Sequence, residues 1–518
     1  MNDWLPALLW LPLLMAAVAL AVRRSTRAQR VVALGTHAAV VVLGLTLLVS
    51  TRDGSVVVEQ VAGWPGGVSI PYAVDVFAAL MITVTAFLVL VTSTFGIGTR
   101  DDDDPYFHPL VLVLSGGVFG AFATADLFHL FVMIEVALIP SYVLLTRSGR
   151  LPQLGAGRIY LTVNLLVSTI LLTGVGLVYA TAGTVNLGEL AGAAQGSVAV
   201  ALAGGVVLVA LAAKAALVPV HSWLPRSYPF ASVAVTALLS GLLTKIGVYW
   251  IFRLYAVMFG GDERLHTAWL WVLGATMVVG VLGALGESGM RAILSFHMTS
   301  QVGYILLGIG FFGPLGLAAG IFYLIHHIIV KAALFLACGA IEHRAGTGRL
   351  SRLGGAARHS PWLALVFLGA ALSLVGIPPF SGFVAKLTLI RAAVLEAEYL
   401  VAGLAVVVSL FTLLSMLKIW NGAFWGGDPV SEREPALVSG ASETLPDVTD
   451  PTSDVLRQPG VQVVTDPLRV PWRLVLPGAV LTLLSLSIGL GADVLLSLAQ
   501  TAAEGLVDPS RYVEAVTQ

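Results

Sequence analysis

Long runs of apolar residues alternate with short polar segments along the chain. Fourteen of these runs are long enough to cross a bilayer as helices, which takes about 20 apolar residues. Within the runs the apolar positions are continuous rather than alternating with polar ones, which excludes a transmembrane β-barrel. The pattern predicts an all-α polytopic membrane protein with 14 transmembrane helices. The predicted spans cover residues 4–22, 31–50, 73–96, 107–124, 127–146, 158–180, 198–219, 231–255, 268–286, 291–311, 313–340, 361–395, 400–423 and 472–497.

Composition supports this class and argues against several functions. Hydrophobic residues make up 57% of the 518 residues and charged residues 11%, against about 25% charged residues in soluble domains. The net charge of −1 argues against a nucleic-acid partner, which requires a basic surface. The single cysteine, Cys338, excludes an intrachain disulfide. The sequence contains no ATP-binding, iron–sulfur or dinucleotide motif, so we expect no cofactor, and it leaves metal binding undecided.

The arginines predict the orientation of the chain. Four of them, from Arg23 to Arg30, follow the first span rather than precede it, the reverse of a cleaved signal peptide. With the N-terminus outside, the inner loops hold 18 arginines and the outer loops five, as the positive-inside rule requires. The five outer arginines are Arg52, Arg253, Arg264, Arg391 and Arg511. We therefore expect a multi-pass protein of the bacterial inner (plasma) membrane with both termini outside.

All five lysines lie inside apolar runs. They are Lys214, Lys245, Lys331, Lys386 and Lys418. A lysine at the bilayer centre costs roughly 3 kcal/mol on insertion scales, so these side chains are expected to face protein, water or a counter-charge. Glu135, in the apolar run VMIEVALIP, is one candidate counter-charge. Buried lysines together with a buried glutamate favour a proton or ion path.

Two spans carry a proline break beside a lysine, in opposite order. Span seven carries Lys214 and then meets Pro219. Span twelve meets Pro378 before it reaches Lys386. The two spans are five apart, and an odd offset reverses their orientation, as in inverted repeats built around broken helices. The predicted organisation is an N-terminal three-helix segment (1–106), a first inverted repeat of helices 4–8 (107–258), a second of helices 9–13 (268–423), a cytoplasmic linker (424–471), and a last helix with an external tail (472–518).

Glu135 and Lys214 are the first candidate site. If the two side chains meet, movement of the carboxylate would change how readily the ammonium releases its proton. The alternative is a static ion pair that holds two helices together. His221, past the proline break, is either a proton acceptor from the aqueous side or a packing histidine. Lys245, mid-span among small residues in GLLTKIGVYW, is a candidate relay step.

The second half carries further candidates. His327 and Lys331 are four residues apart, on one face of a helix, and a histidine beside a lysine suits proton exchange. Lys386 follows the irregular segment GIPPFSGF and is the candidate for the far end of a proton path. His297 belongs to the polar run LSFHMTSQVGY, which holds either waters or interhelical hydrogen bonds. Lys418 lies near the inner end of its span, where its ammonium can reach the interface.

Several aspartates and one histidine near the ends of spans are expected outside the apolar core of the membrane. The run Asp101–Asp104 is expected to be a solvated inner turn rather than a metal site. Asp75, Asp126 and His129 lie near the starts of spans three and five, at the interface, where Asp126 is a candidate guard of a proton path.

At these positions the chain resembles the antiporter-like subunits shared by Mrp-type cation/proton antiporters and the membrane arm of respiratory complex I, and within that family it is most similar to the Mrp D subunits. The resemblance covers about residues 70–425 and is carried by FVMIEVALIP, AAKAALVPVHSWLP, GLLTKIGVY, LSFHMTSQVGYILLG, FYLIHHIIVKAALFL and GIPPFSGFVAK. It implies two inverted five-helix repeats with broken helices 7 and 12. It also implies function inside a larger complex. Arg226 departs from the small or acidic residue expected after Pro225. The proton path implied by the resemblance runs through Glu135, Lys214, Lys245, His327, Lys331 and Lys386.

The sequence therefore predicts a proton-translocating subunit of a sodium/proton antiporter complex, a transporter rather than an enzyme. Its expected partners are other subunits of that complex, the lipid bilayer, protons and Na⁺. The first alternative is the same channel in complex I or a membrane-bound hydrogenase, driven by a redox partner. The second is a structural subunit whose charges are locked in static pairs.

Overall fold

The computed structural model describes residues 4–64, 69–426 and 469–518, and it is a bundle of α-helices with one small hairpin. The helices are α1 (Ala7–Ala21), α2 (Thr26–Thr51), α3 (Val76–Thr99), α4 (Phe107–Ala123), α5 (Leu127–Thr146), α6 (Leu151–Ala182), α7 (Ala193–Gly196), α8 (Val198–Lys214), α9 (Trp223–Ser227), α10 (Val233–Phe259), α11 (His266–Gly286), α12 (Met290–Gly310), α13 (Pro314–Ala345), α14 (Ala356–His359), α15 (Pro361–Val375), α16 (Ser381–Leu395), α17 (Tyr399–Ile419), α18 (Trp472–Leu490), α19 (Ala492–Val507) and α20 (Ser510–Thr517). The strands are β1 (Val57–Gln60) and β2 (Pro71–Val74).

Each predicted span coincides with a long helix or with a broken pair of helices. Among the described residues, ten helical segments are long and apolar enough to cross a membrane by length and composition, and four further apolar helices have 10–17 residues. The chain is thus a polytopic helical membrane protein, as predicted, while the total of fourteen spans stays a prediction. The linker predicted at 424–471 lies almost wholly outside the described residues.

Two helices form the centre of the bundle. Every residue of α10 is buried, and α13 is buried from Gly316 to Ile341. The helix α13 packs against α3, α10, α12, α15, α16, α18 and α19. Helices on the periphery, such as α2 and α17, bury only one side and expose apolar residues on the other. Side chains that point from α10 or α13 therefore lie in protein rather than in lipid.

Both predicted breaks are present. The helix α8 ends at Lys214, and the chain continues through a turn at Val220–Ser222 into the short helix α9. The helix α15 ends at Val375, and α16 starts at Ser381. The proline at each break cannot donate a backbone hydrogen bond and ends the helical ladder. The carbonyl groups at the two helix ends have other donors, since Ala213 accepts from the Trp223 indole and Val375 accepts from Lys386.

The hairpin was not predicted, whereas α18 begins at the start of the last predicted span and α20 lies in the predicted tail. The strands β1 and β2 are antiparallel, with Val57 opposite Val74. The segment from Val185 to Ser197, between two long helices, contains the single turn of α7. The helix α19 packs against α13, and α20 packs against both strands. A cover of short elements thus lies over the bundle end where α3 begins.

Two charged residues expected in solvent are buried instead. Arg253 lies inside α10, 1% exposed, and its Nη2 donates to the Asp75 carboxylate at 2.7 Å. The ring of Tyr512, from α20, lies 4.5 Å from the Arg253 guanidinium. Asp102 is 1% exposed and is paired with Arg30 at 2.5 Å. The expectations of an outer-loop arginine at 253 and a fully solvated turn at 101–104 are therefore wrong, because each charge has a buried counter-charge.

Candidate functional site: a row of buried lysines and histidines

Four of the five lysines are buried in the bundle. Lys245 and Lys331 are fully buried, and Lys214 and Lys386 are 3% and 5% exposed. Within the described residues, none of the four forms an ion pair with a carboxylate within 4.0 Å. Each ammonium group instead donates hydrogen bonds to neutral oxygens. These lysines are held by dipoles rather than by counter-charges.

Lys214 is bonded to an amide and not to the predicted carboxylate. Its Nζ donates to Asn164 Oδ1, on α6, at 2.9 Å, and the Asn164 amide in turn donates to the carbonyl of Tyr160. Glu135 lies in electrostatic range of Lys214, and its buried Oε1 has no hydrogen-bond partner among the described residues. Glu135 and Lys214 therefore do not form the expected hydrogen bond, and Asn164 accepts from Lys214 instead. We refer to this arrangement as the open contact between Glu135 and Lys214.

His221 lies where the sequence placed it, in the turn after the first break. The residue is partly buried, and its Nδ1 has no hydrogen-bond partner within the described ranges. Trp223 follows in α9 and donates its indole N–H to the carbonyl of Ala213, beside Lys214. The turn therefore folds back onto the end of α8 and keeps His221 next to the break.

Lys245 lies in the middle of the buried helix α10. Its Nζ donates to the carbonyl of Ser240 at 2.7 Å and to Thr244 Oγ1 at 3.2 Å. Two residues further on, Gly247 allows α8 to approach closely, because a Cβ there would lie 2.8 Å from the carbonyl oxygen of Leu211. The backbones of α8 and α10 therefore approach closely beside Lys214 and Lys245.

His327 and Lys331 share one face of α13, as their spacing predicted. Lys331 Nζ donates to the carbonyl of Leu294, on α12, at 2.9 Å. Both ring nitrogens of His327 are buried without a hydrogen-bond partner among the described residues. His327 interacts electrostatically with both Lys245 and Lys331. A neutral imidazole near two amines is a group that can accept a proton from one and pass it to the other.

Lys386 lies across the second break. Its Nζ donates to the carbonyl of Val375 at 2.8 Å and to Ser409 Oγ, on α17, at 2.9 Å. The hydroxyl of Ser409 donates to the carbonyl of Ala405, so its oxygen is free to accept from the lysine. The Tyr304 ring lies 5.1 Å from the same ammonium. The environment of Lys386 is polar, and no carboxylate of the described residues forms an ion pair with it.

A chain of hydroxyl groups runs beside the second break. His326 Nδ1 lies 2.8 Å from Ser381 Oγ, which lies 2.9 Å from Ser485 Oγ. Ser485 Oγ lies 2.8 Å from Ser373 Oγ. Hydroxyl groups act as both donor and acceptor, so the chain can hold hydrogen bonds in either direction. Four helices, α13, α15, α16 and α18, meet at this chain.

His297 and Lys418 differ in their surroundings. His297 Nε2 lies 2.5 Å from Ser415 Oγ, and the ring interacts electrostatically with Lys331 and Lys386. Lys418 donates to the carbonyls of Leu285 and Glu287, at the C-terminal end of α11. The ammonium of Lys418 caps that helix, since a cation suits the negative end of the helix dipole. Lys418 is thus a structural lysine, in contrast to the other four.

Two of the residues predicted at the interface, Asp75 and Asp126, cap the N-terminal ends of α3 and α5. Asp126 accepts from the backbone N–H of His129 at 2.6 Å, and Asp75 caps α3 through Ala78 N–H. Burial raises the pKa of the Asp126 carboxyl above its ordinary value, and the backbone N–H groups of His129 and Phe128 oppose the rise. Within the described ranges, no group of three or more His, Cys, Asp and Glu side chains is placed to hold a metal ion.

The site contains residues that the sequence did not single out. Asn164 stands alone as an amide in the apolar run IYLTVNLLVSTI, and that isolation is a signal that could have marked it. Ser409, Ser415 and Ser485 carry no comparable signal, since serine is common in membrane helices and its partner depends on helix rotation.

Comparison with known proteins gives the family. Residues 124–412 match the family model described as NADH:quinone oxidoreductase/Mrp antiporter, TM. The chain is 34% identical over its whole length to the D subunit of the Na(+)/H(+) antiporter of Alkalihalophilus pseudofirmus, covering 99% of that protein. It superposes on a chain of the Mrp complex from Dietzia sp. with a TM-score of 0.91 and 47% identity, covering 100% of this chain and 99% of that one.

Complex I gives a likeness of fold alone. A chain of respiratory complex I from Thermus thermophilus superposes with a TM-score of 0.76 at 23% identity, covering 98% of this chain and 100% of that one. The broken helices and the row of buried lysines and histidines lie wholly within the region that the family model matches. This chain belongs to the NADH:quinone oxidoreductase/Mrp antiporter family of transmembrane proteins.

Proposed function

We propose that this chain is the proton-translocating subunit of a multisubunit Na⁺/H⁺ antiporter complex. The proton moves along a mid-membrane row, with His221 as an access point. The row is Glu135, Lys214, Lys245, His327, Lys331 and Lys386. The other subunits of the complex, the bilayer, protons and Na⁺ are its partners, and the arginine-rich loops face the cytoplasm of a bacterial inner membrane.

The observation that carries the proposal is the absence of a carboxylate within 4.0 Å of the four buried ammonium groups, among the described residues. An ammonium that is removed from water and left without a counter-charge is costly, whereas the neutral amine is not. The protonation of such a lysine responds strongly to the charge of its neighbours. A static structural lysine, by contrast, is expected to sit in an ion pair or at a helix end, as Lys418 does.

Electrostatic coupling joins Lys245, in the first half, to the sites of the second half. Lys245 interacts with His327 and with Lys331. His297 interacts with Lys331 and Lys386. Sites coupled in this way titrate as a set, so that a proton arriving at one disfavours a proton on the next. A charge that enters near Lys245 is thereby propagated towards Lys386.

The open contact between Glu135 and Lys214 supports a switch in the first half. In the present state Lys214 is held by Asn164, and one oxygen of Glu135 is unpaired among the described residues. Closure of the contact would stabilise the charged lysine, and opening it would release the proton. Asn164 is then the resting partner that occupies Lys214 while the contact is open.

The test uses everted membrane vesicles that contain the whole complex. An acid interior is imposed, Na⁺ is added, and the pH gradient is followed for the wild type and for Lys214→Ala. We expect Na⁺ to collapse the gradient in the wild type and not in an assembled Lys214→Ala complex. Retained exchange in the variant would contradict the relay. A wild type that ignores Na⁺ but pumps protons on addition of NADH would favour the redox-driven alternative.

A further inference from the structure

A second group of buried titratable side chains lies outside the lysine row, among α2, α4 and the turn between α3 and α4. Its members are Asp102, His108 and His37, with 1%, 1% and 0% exposure. His108 Nε2 lies 3.6 Å from Asp102 Oδ2. His37 Nε2 lies 3.0 Å from Ser115 Oγ, and His37 interacts electrostatically with His108. We refer to these three residues as the histidine column.

The column runs from one end of the bundle into the membrane. His108 and Ser115 are seven residues apart on α4, two turns on the same face, about 10 Å along the helix. His37 meets Ser115 at the deep end. At the other end Asp102 is bonded to Arg30, whose side chain is 35% exposed. The column therefore connects the bundle end that carries Arg30, which we call the basic face, to a buried imidazole.

The hydrogen bonds fix where a proton can be added. Ser115 Oγ donates to the carbonyl of Leu112 at 3.0 Å, so its oxygen accepts from His37 Nε2–H. The Nδ1 of His37 is then the acceptor of a neutral ring, and it is buried without a partner among the described residues. The carbonyl of Ala33, one turn earlier, is close enough to accept from the ring. An N–H formed at Nδ1 of His37 can therefore donate to the carbonyl of Ala33.

Several polar atoms of the column need partners. Asp102 Oδ1, both ring nitrogens of His108 and Nδ1 of His37 are buried with no hydrogen-bond partner among the described residues. Buried polar groups in native proteins are bonded to protein or to ordered water. A water needs two to four polar partners, and the column carries four buried polar atoms without one among the described residues. Water-linked polar atoms in a line are a path for a proton.

The surrounding charges are few. Arg30 and Asp103 lie at the basic face, where Arg30 interacts with both aspartates. The helices α1 and α3, which pack against α2 and α4, carry no titratable side chain. The helix α10 meets α4 at the far end from His108, where Tyr249 and Trp250 donate to the carbonyls of Phe122 and Ala121. The helix α5 turns Met133 and Ala137 towards α4. Asp102 is therefore the one carboxylate among the described residues that contacts the column, and Arg30 opposes its effect.

We propose that Asp102, His108 and His37 form a second proton-binding site, separate from the lysine row, that takes a proton from the basic face through bound water. The proton ends on the imidazole of His108 or His37, as an N–H formed at the unoccupied ring nitrogen. The site would let the N-terminal helices respond to the pH at the basic face while the row carries the transported proton. It does not depend on the function proposed above.

The experiment measures hydrogen–deuterium exchange at the C2 carbon of each histidine, by mass spectrometry on the intact complex in D₂O across a range of pH. This exchange requires water at the ring, and its rate follows the protonation of that ring. We expect His108 and His37 to exchange with a sigmoidal dependence on pH. A complete lack of exchange at both, while the more exposed His266 exchanges, would overturn the proposal.

Two aspartate variants provide the matched comparison. Asp102→Asn removes the carboxylate that faces His108, whereas Asp103→Asn removes the same charge from the neighbouring exposed position. We expect Asp102→Asn to lower the midpoint for His108 by about one pH unit, and Asp103→Asn to leave it in place. Equal shifts in the two variants would contradict a local site. If Asp102→Asn does not assemble, Ser115→Ala replaces it: a changed profile for His37 alone supports the column, and an unchanged profile contradicts it.

Discussion

Lys386 donates to the carbonyl of Val375, the last residue of α15, at 2.8 Å. The lysine of α16 thus bonds an oxygen that the break leaves outside the helical ladder. The same ammonium reaches Ser409 on α17. A change in the charge of Lys386 therefore alters bonds to two other helices at once, which couples protonation to the geometry of the break.

Lys386→Met is expected to abolish Na⁺-dependent proton exchange in vesicles while the complex still assembles. Methionine keeps the length and apolar stem of the side chain but cannot carry a proton. The matched control is Lys418→Met, another lysine in the bundle with carbonyl partners. We expect the control to retain exchange and to lose about 1 kcal/mol of stability from the missing helix cap. Equal loss of exchange in both variants would argue against a special role for Lys386.

Asn164→Asp is expected to slow exchange at least about tenfold, which corresponds to roughly 1.4 kcal/mol. A carboxylate at this position would hold Lys214 in its charged form and would compete with Glu135. Asn164→Ala removes the resting partner without adding a charge, so we expect a smaller loss. The measurement is the initial rate of gradient collapse at equal amounts of assembled complex. A faster rate for the aspartate variant than for the alanine variant would contradict this ordering.

Asp75→Asn is expected to destabilise the chain by about 3–5 kcal/mol, because it leaves the buried guanidinium of Arg253 unpaired. Removing both charges, in Asp75→Asn with Arg253→Met, should cost less than the sum of the single substitutions. Thermal unfolding of the purified complex provides the measurement. Simple additivity of the two losses would show that the pair contributes no coupling.

Gly382→Ala is expected to distort the second break and to cost about 1–3 kcal/mol. A Cβ at Gly382 would lie 1.7 Å from the carbonyl oxygen of Ser373, so the two helix ends would have to separate. Gly403→Ala, on α17, is the control, since a Cβ there meets nothing within 4 Å. Thermal stability and exchange should fall for the first variant and remain unchanged for the second.

The sequence predicted the helices well, because continuous apolar runs and proline breaks are local features. It also predicted that the lysines are buried in protein, since the free-energy cost of an ammonium group in contact with lipid is high. The partners of those lysines were not predictable in the same way. Lys214 meets Asn164 rather than Glu135, and that choice depends on the rotation of α6 against α8. Rotation is set by packing over many residues, and one sequence does not reveal it.

Charged residues near the ends of spans were the main source of error. A run of four aspartates reads as a solvated turn, yet Asp102 is buried beside Arg30, 72 residues away along the chain. Arg253 reads as an outer-loop residue, yet it pairs with Asp75, 178 residues away. In both cases the counter-charge is distant in sequence. The histidine column was not predicted for the same reason, since its members come from separate segments.

The ring of Tyr512 over Arg253 has a consequence for biosynthesis. Asp75 and Arg253 precede α20 in the chain, so both are synthesised before the ring that covers the arginine. The guanidinium gains this cover only when α20 packs onto the bundle. A nascent chain stalled before this point would display an uncovered arginine on an otherwise apolar bundle.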